Sequence, residues 1–372
     1  LINGRKPATF LPNTTQDGVW YNTAIFSSTK LKLVYMRQKS ILFLVYFVAF
    51  LAPGNLFAQE SNKGIDYTAY MGEVRQINKL LSNLPPPALF TKEGLDAARN
   101  GMKAFIPKST VLKITEKNIP GPLGDIPLRI FRPDTINAVV LDMHGGGWFQ
   151  GVAANDDGFN DVMARTCHVA VVSVNYRLAP EFPFPACIND CKTAARWLVS
   201  NAKAEFGTDK LVLTGQSAGA HLSALMALYI RDSLNAIDKV RGVNLQYGCF
   251  DLGGTPSERQ ASDSTIILSK KSLNQNFQLV FGGWGTDKLE QPEYSPLFAN
   301  FKGLPPAYFI VGTADPLLDD TQFMESRWRG AGNKTYLGVY PECPHGFNAF
   351  PTKLAKLVND QMFAWIQAVI RR

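Results

Sequence analysis

"LVLTGQSAGAHLSALMALYI", residues 211–230, joins two different periodicities through one turn. Leu211, Val212 and Leu213 make an apolar run of strand length, and from Ala218 onward the pattern is helical. The join, Gly215-Gln216-Ser217-Ala218-Gly219, has the form G-x-S-x-G, in which a serine occupies a sharp strand-to-helix turn and flanking glycines let the two elements pass closely. The helix that follows brings its amino-terminal dipole near Ser217. A serine hydroxyl is a poor nucleophile at neutral pH, so the turn means chemistry only if a base, an orienting acid and an oxyanion site exist elsewhere. Otherwise it is a glycine turn.

Working outward, short apolar runs recur at Ala138–Leu141, Val169–Val174, Gly242–Tyr247, Ala307–Val311 and Thr335–Tyr340, with helical patterns near 158–166, 188–202, 218–231, 320–330 and 352–370. This alternation predicts an α/β fold with a mostly parallel sheet, eight strands in all, covered by helices on both faces. Val111–Asn118 and Ile126–Arg132 flank "PGPLGD" and read as an antiparallel hairpin at its start. Two segments stand outside the alternation. Residues 65–84 carry Met71, Val74, Ile77, Leu81 and Leu84 at helical spacing before the prolines at 85–87, and Leu252 to about Gly285 lacks strand period. Both are expected to form a cap, from about 60–110 and 252–285, over the carboxyl edge of the sheet.

The chain has 372 residues, 46% hydrophobic and 19% charged, which is globular composition, and a formal charge of +7. That charge sits at the start. Six bases and one acid fall within residues 1–58, so the remainder carries only +2, and a basic surface for nucleic acid is not expected. Arg37 and Lys39 precede eleven uninterrupted apolar residues, Ile41–Leu51, and Pro53, Gly54 and Ala58 follow. A spanning helix needs about 20 apolar residues, so 36–58 reads as a signal peptide with cleavage after Ala58, and residues 1–35 as translation upstream of Met36. The expected product is one domain, 59–372, secreted or periplasmic, with no stable membrane span. Its oligomeric state is not legible.

Five cysteines (167, 187, 191, 249, 343) are too few and scattered for a disulfide framework, although Cys187 and Cys191 lie one helical turn apart. The four histidines (144, 168, 221, 345) have no metal-ligand spacing, so no metal site is expected.

Four motifs fall at strand ends, where ligands gather in such sheets. "HGGGW" (144–148) follows the Ala138 run, "GQSAG" the Leu211 run, "GTADPLLDD" (312–320) the Ala307 run and "PHGF" (344–347) the Thr335 run. Three consecutive glycines can turn backbone amides toward one point, which makes Gly145 and Gly146, with Ala218, the expected oxyanion donors. A phosphate loop would need a G-x-x-x-x-G-K spacing that is missing.

With "YRLAPEFPFPA" (176–186), these motifs in this order resemble the hormone-sensitive-lipase branch of the α/β-hydrolases, the bacterial family IV esterases, over about residues 65–372. The resemblance implies a capped hydrolase of carboxylic esters, usually short-chain or acetyl, with a small-molecule ester as its partner and no cofactor. It assigns Ser217 as nucleophile, His345 as base and Asp315 as acid, in the chain order this fold uses. Gln216 departs from the family, which often has an acid there. A lipase or amidase of the same fold, or a binding protein that has lost catalysis, are the alternatives, and the last would be expected to lack a triad member. Asp319 and Asp320 are read as helix-start acids, with Asp319 and Gln322 in a capping box. His144 is expected to brace the glycine loop, His221 to lie beneath the turn, His168 to be a buried structural histidine, and Arg177 and Glu181 to tie down a loop.

Overall fold

In a computed structural model, residues 59–60, 64–83, 89–103 and 110–372 are described. The expected upstream segment and signal peptide, residues 1–58, and Leu84 with the 85–87 prolines lie outside these. In chain order come β1 (Gln59–Glu60), α1 (Thr68–Leu81), α2 (Lys92–Lys103), β2 (Ile114–Ile119), β3 (Ile126–Phe131), β4 (Ala138–Met143) and α3 (Asp157–Cys167). Then follow β5 (Val169–Val174), α4 (Ala186–Phe206), β6 (Leu211–Gln216), α5 (Ala218–Asp232), β7 (Val240–Gln246), α6 (Lys270–Phe281), β8 (Ala307–Gly312), α7 (Leu318–Gly330), β9 (Thr335–Tyr340) and α8 (Lys353–Ile370).

The strands form one sheet in the order β1-β9-β8-β7-β6-β4-β5-β3-β2. Eight of them are six or seven residues long, and the two-residue β1 adds a ninth beside β9. From β5 to β9 every pairing is parallel, whereas β3 runs antiparallel to both β2 and β5. Strands β4, β5 and β8 are buried at every position, as strands with helices on both sides must be. Residues alternate between two apolar layers. Val139, Leu141, Leu211, Leu213, Val243 and Leu245 pack against α4 and α5, and Ala138, Val140, Val169, Val171 and Val212 pack toward α3 and α8.

The two expected cap pieces behave differently. Between β7 and β8 the chain makes a short helix at Pro256–Arg259 and then α6, whose Ser269 N-cap oxygen accepts from the Ser272 N–H. Phe281 of α6 meets Phe184 and Trp148 in an aromatic cluster that also takes in Phe277, Trp284 and Tyr294. This is the cap. Helix α1 instead buries Met71 and Val74 in the α3/α8 layer and fixes the β9–α8 loop through Arg75 on the Glu342 carboxylate and Asn78 on the Glu342 carbonyl. Helix α2 docks through Arg99, which donates to the carbonyls of Phe149 and Ala179 and to Glu181.

Candidate active site

β6 ends directly at the turn. Ser217 has φ 55° and ψ −122°, a strained setting for a residue with a side chain. Its N–H donates to the Gln246 carbonyl across the sheet (2.9 Å), and its own carbonyl accepts from the N–H groups of Ala220 and His221. The glycines are sterically required. A Cβ on Gly215 would lie 2.3 Å from the Gly219 carbonyl oxygen, and one on Gly219 would lie 1.9 Å from that of Met143.

Opposite the turn, the loop after β4 comes so close that a Cβ on Gly145 would be 3.6 Å from the Ser217 Cβ. Gly146 (φ 113°) and Gly147 (φ 59°) take the left-handed region that glycine permits. Among the described residues, no carbonyl accepts from the N–H of Gly145 or Gly146, which leaves both available beside the serine. His144 braces this loop: its Nδ1 donates to the Gly145 carbonyl (2.7 Å), its ring stacks on Tyr176 at 4.1 Å, and the Tyr176 hydroxyl donates to the His144 carbonyl. Burial pulls the His144 imidazole down to about 4, so it stays neutral.

Asp315 follows β8 and His345 follows β9. Asp315 Oδ2 is 2.8 Å from His345 Nδ1, and His345 Nε2 is 2.8 Å from Ser217 Oγ. The other carboxylate oxygen accepts from the Leu317 N–H at 2.9 Å. Since a carboxylate only accepts, Nδ1 carries the proton and Nε2 is free to take one from the serine hydroxyl. Both His345 and Asp315 are buried, at 7% and 3% exposure, whereas Ser217 is half-buried and reachable.

The neighbouring acids do other work. The helix starts two residues earlier than a capping box at Asp319 requires, with Leu317 at the N-cap and no side-chain cap. Asp319 accepts from the Ser257 N–H, and fully buried Asp320 accepts from the Phe250 and Asp251 N–H groups and the Thr255 hydroxyl, so both anchor the cap to α7. Burial pushes Asp320 up to about 7. Gln216 donates to Asp156 (2.7 Å), which places an acid opposite a position where the sequence itself has none.

Two further residues, His221 and Tyr247, surround the site, and their partners were not evident in the sequence. His221 is buried, accepts at Nδ1 from the Trp148 indole N–H (3.2 Å) and donates from Nε2 to the Tyr294 carbonyl (2.6 Å). It thereby ties the glycine loop, the serine helix and the cap together, and burial holds it near 4 and neutral. Tyr247, at the end of β7, sets its ring edge-on to His345 at 4.9 Å. Its strand-end position was the available signal. His168, in contrast, is exposed and ends α3 in the left-handed conformation (φ 54°), far from a buried structural role. Arg177 pairs with Asp190 and Glu181 with Arg99, which fixes the 177–190 loop. All five cysteines are buried free thiols, including Cys187 and Cys191.

A family model described as the α/β hydrolase fold matches residues 140–349. The chain is 32% identical over 241 residues to the carboxylic ester hydrolase LipN of Mycobacterium tuberculosis, covering 63% of this chain and 64% of LipN. It is 30% identical over 294 residues to the carboxylesterase NlhH of Mycobacterium tuberculosis, covering 75% of this chain and 90% of NlhH. Among solved structures, a hormone-sensitive lipase from a metagenome library superposes with a TM-score of 0.68 at 26% identity, covering 80% of this chain and 98% of that one.

Proposed function

The chain belongs to the α/β-hydrolase fold family as a carboxylic-ester hydrolase of its hormone-sensitive-lipase branch, and from that premise we propose that it cleaves short-chain acyl or acetyl esters by two-step acyl transfer to Ser217. The observation that carries this reading is the continuous Ser217–His345–Asp315 hydrogen-bond chain, 2.8 Å at each link, set at a strained strand-to-helix turn. His345 takes the serine proton as Oγ attacks the ester carbonyl. The oxyanion that forms is held by the N–H groups of Gly145, Gly146 and Ala218, already oriented before the reaction begins. His345 then gives its proton to the departing alkoxide, and a water molecule, deprotonated by the same imidazole, releases the acid. The steps need only groups this chain supplies.

Two features support short acyl groups. Trp148 and Phe184 are buried together with Phe281 of the cap beside the glycine loop, and the cap is anchored by Asp320. In Ser217→Ala, turnover of p-nitrophenyl esters from acetate to palmitate should fall by several orders of magnitude with the fold intact. Near-native turnover would remove Ser217 from the reaction. In the wild type, hydrolysis should decline steeply beyond short chains.

The same proposal includes export directed by residues 36–58, giving a secreted or periplasmic enzyme. Among the described residues no helix is long and apolar enough to cross a membrane. Amino-terminal sequencing of the extracytoplasmic protein should begin near Gln59, and a mature cytoplasmic chain that retains Met36–Ala58 would refute export.

A further inference from the structure

On the α3/α8 face of the sheet, polar residues replace apolar ones at the carboxyl ends of four neighbouring strands. β4 presents Ala138, Val140 and then Asp142, and β5 presents Val169, Val171 and then Ser173. β6 presents Val212, then Thr214 and Gln216, and β7 ends with Asn244 and Gln246 in register with them. Burying such side chains is costly unless each finds a partner. Much of the stripe does so internally: Asn244 donates to Thr214, Ser173 and Asn160 donate to Asp142, and Asn348 donates to Gln246.

Three atoms do not. Asp142 uses only Oδ2, Asp156 uses only Oδ1 toward Gln216, and Gln246 uses only its Oε1, so Asp142 Oδ1, Asp156 Oδ2 and Gln246 Nε2 have no partner among the described residues. All three residues are at least nine-tenths buried, and all three line one cavity of about 540 Å³ between α3, α8 and residues 348–352. Phe159, Phe350 and Phe363 form its apolar wall. At its rim Lys356 and Asp360 pair with each other, which leaves no net charge there.

The atoms left open select a ligand class. Asp142 Oδ1 accepts, the Gln246 amide donates, and Asp156 Oδ2 accepts when ionised and donates when protonated. An ammonium ion would leave the Gln246 N–H facing a cation, and an anion would face two acids. A hydroxyl both donates and accepts, and the C–H faces of a sugar ring or polyol suit flat aromatic walls. Burial also raises both carboxyls, Asp142 to about 6 and Asp156 further, with Asp142 and Asp157 adding to the effect on Asp156, which favours a neutral partner.

The cavity shares a wall with the triad. Gln216 immediately precedes Ser217, and Asn348 lies three residues after His345. The Tyr247 hydroxyl lies 3.0 Å from Gln216 Oε1 and 2.7 Å from Asn348 Oδ1, and its ring is the one edge-on to His345. One phenolic proton cannot serve both oxygens at once, so an amide oxygen is always left to receive a ligand hydroxyl.

We propose that this cavity seats a hydroxyl-rich alcohol, a sugar or polyol, whose acyl ester Ser217 cleaves. The proposal rests on the hydrolase reading above. The bond from the Ser217 Oγ to the acyl carbon forms as the bond from that carbon to the sugar oxygen breaks, and the proton held by His345 restores the sugar hydroxyl.

The test compares kcat/KM for a monoacetylated methyl glucoside with that for p-nitrophenyl acetate in the full chain, in Val162→Trp and in Asp156→Asn. Val162 stands half-open at the cavity lining, so tryptophan there fills space without disturbing the core. Asp156→Asn keeps the oxygen that Gln216 uses and replaces an open oxygen able to accept or donate with an amide that only donates. The sugar-to-nitrophenyl ratio should fall at least tenfold in Val162→Trp and severalfold in Asp156→Asn, mainly through KM for the sugar ester. An unchanged ratio in both would overturn the proposal, as would an equal fall on both substrates, which would make the cavity a prop for the triad. A preference for acetylcholine over the sugar acetate, lost in the same variants, would assign the cavity to a cation and also overturn it. Ser217→Ala separates the two levels: if it retained turnover of p-nitrophenyl acetate, the hydrolase reading itself would fail, whatever the ratio.

Discussion

At Ser217 the backbone conformation costs on the order of 1–3 kcal/mol, and it persists because both of its peptide groups are held, the N–H by Gln246 and the carbonyl by the first turn of α5. Trp148 and Tyr247 beside it also have positive φ, as His168, Asn235, Ile267 and Glu342 do elsewhere. The triad was legible in the sequence because each member sits within a motif at a strand end. The Trp148–His221–Tyr294 link was not, since its members come from segments 73 residues apart on either side and no motif joins them. Asp315 carries the first prediction at this scale. In Asp315→Asn an amide N–H would face His345 Nδ1, which would then have to accept, and the ring proton would move to Nε2 and block it as a base. Turnover of p-nitrophenyl acetate should fall by about 10⁴, the factor a tautomer change costs a serine protease, with unchanged circular dichroism. A loss under tenfold would move the acid role elsewhere.

Among the elements, the strand and helix periods fixed positions well because the sheet is buried on both sides and tolerates little else. β9 ends where the pattern predicts, and β4 and β6 each extend beyond their apolar runs through Asp142 and Thr214, which are polar yet interior. The start of α7 was misread for a related reason. Acids at a helix start usually serve the helix, and here tertiary contacts recruit Asp319 and Asp320 to hold the cap instead. Asp320 then makes stability depend on pH. Between the ordinary unfolded carboxyl value of about 4 and about 7, the folded chain keeps a proton the unfolded chain has released, so stability falls as pH rises through that window. Glu258, pushed up to about 8 by burial beside Asp320, acts in the same direction. Asp320→Asn cannot ionise, and its melting temperature should therefore vary less than that of the wild type from pH 5 to pH 7.5. Parallel melting curves against pH would contradict this. Asp320→Ala leaves two N–H groups and a hydroxyl without their acceptor, at about 1–3 kcal/mol each, and should be much less stable at every pH.

For the whole molecule, the docking of α1 was the least legible feature, because an amphipathic stripe states that a face is buried and not which surface buries it. Its place against the β9–α8 loop predicts a general effect on catalysis and none on chain length. Met71→Ala with Val74→Ala should lower stability by about 3 kcal/mol or more and reduce turnover of acetate, butyrate and octanoate esters in equal proportion. A shift in acyl preference would instead put α1 beside the acyl group. The cysteines allow a different kind of reading. Burial pushes the thiols of Cys167, Cys187 and Cys343 up to about 12 and those of Cys191 and Cys249 well above the ordinary thiol value, so little thiolate forms near neutral pH, and all five sulfurs are shielded by burial. Alkylation must therefore wait for the chain to open. Cys249 lies at the foot of the cap, Cys343 two residues before the base, and the other three under the flanking helices. The order in which an alkylating reagent marks these five sulfurs is a timetable of which part of the enzyme comes apart first.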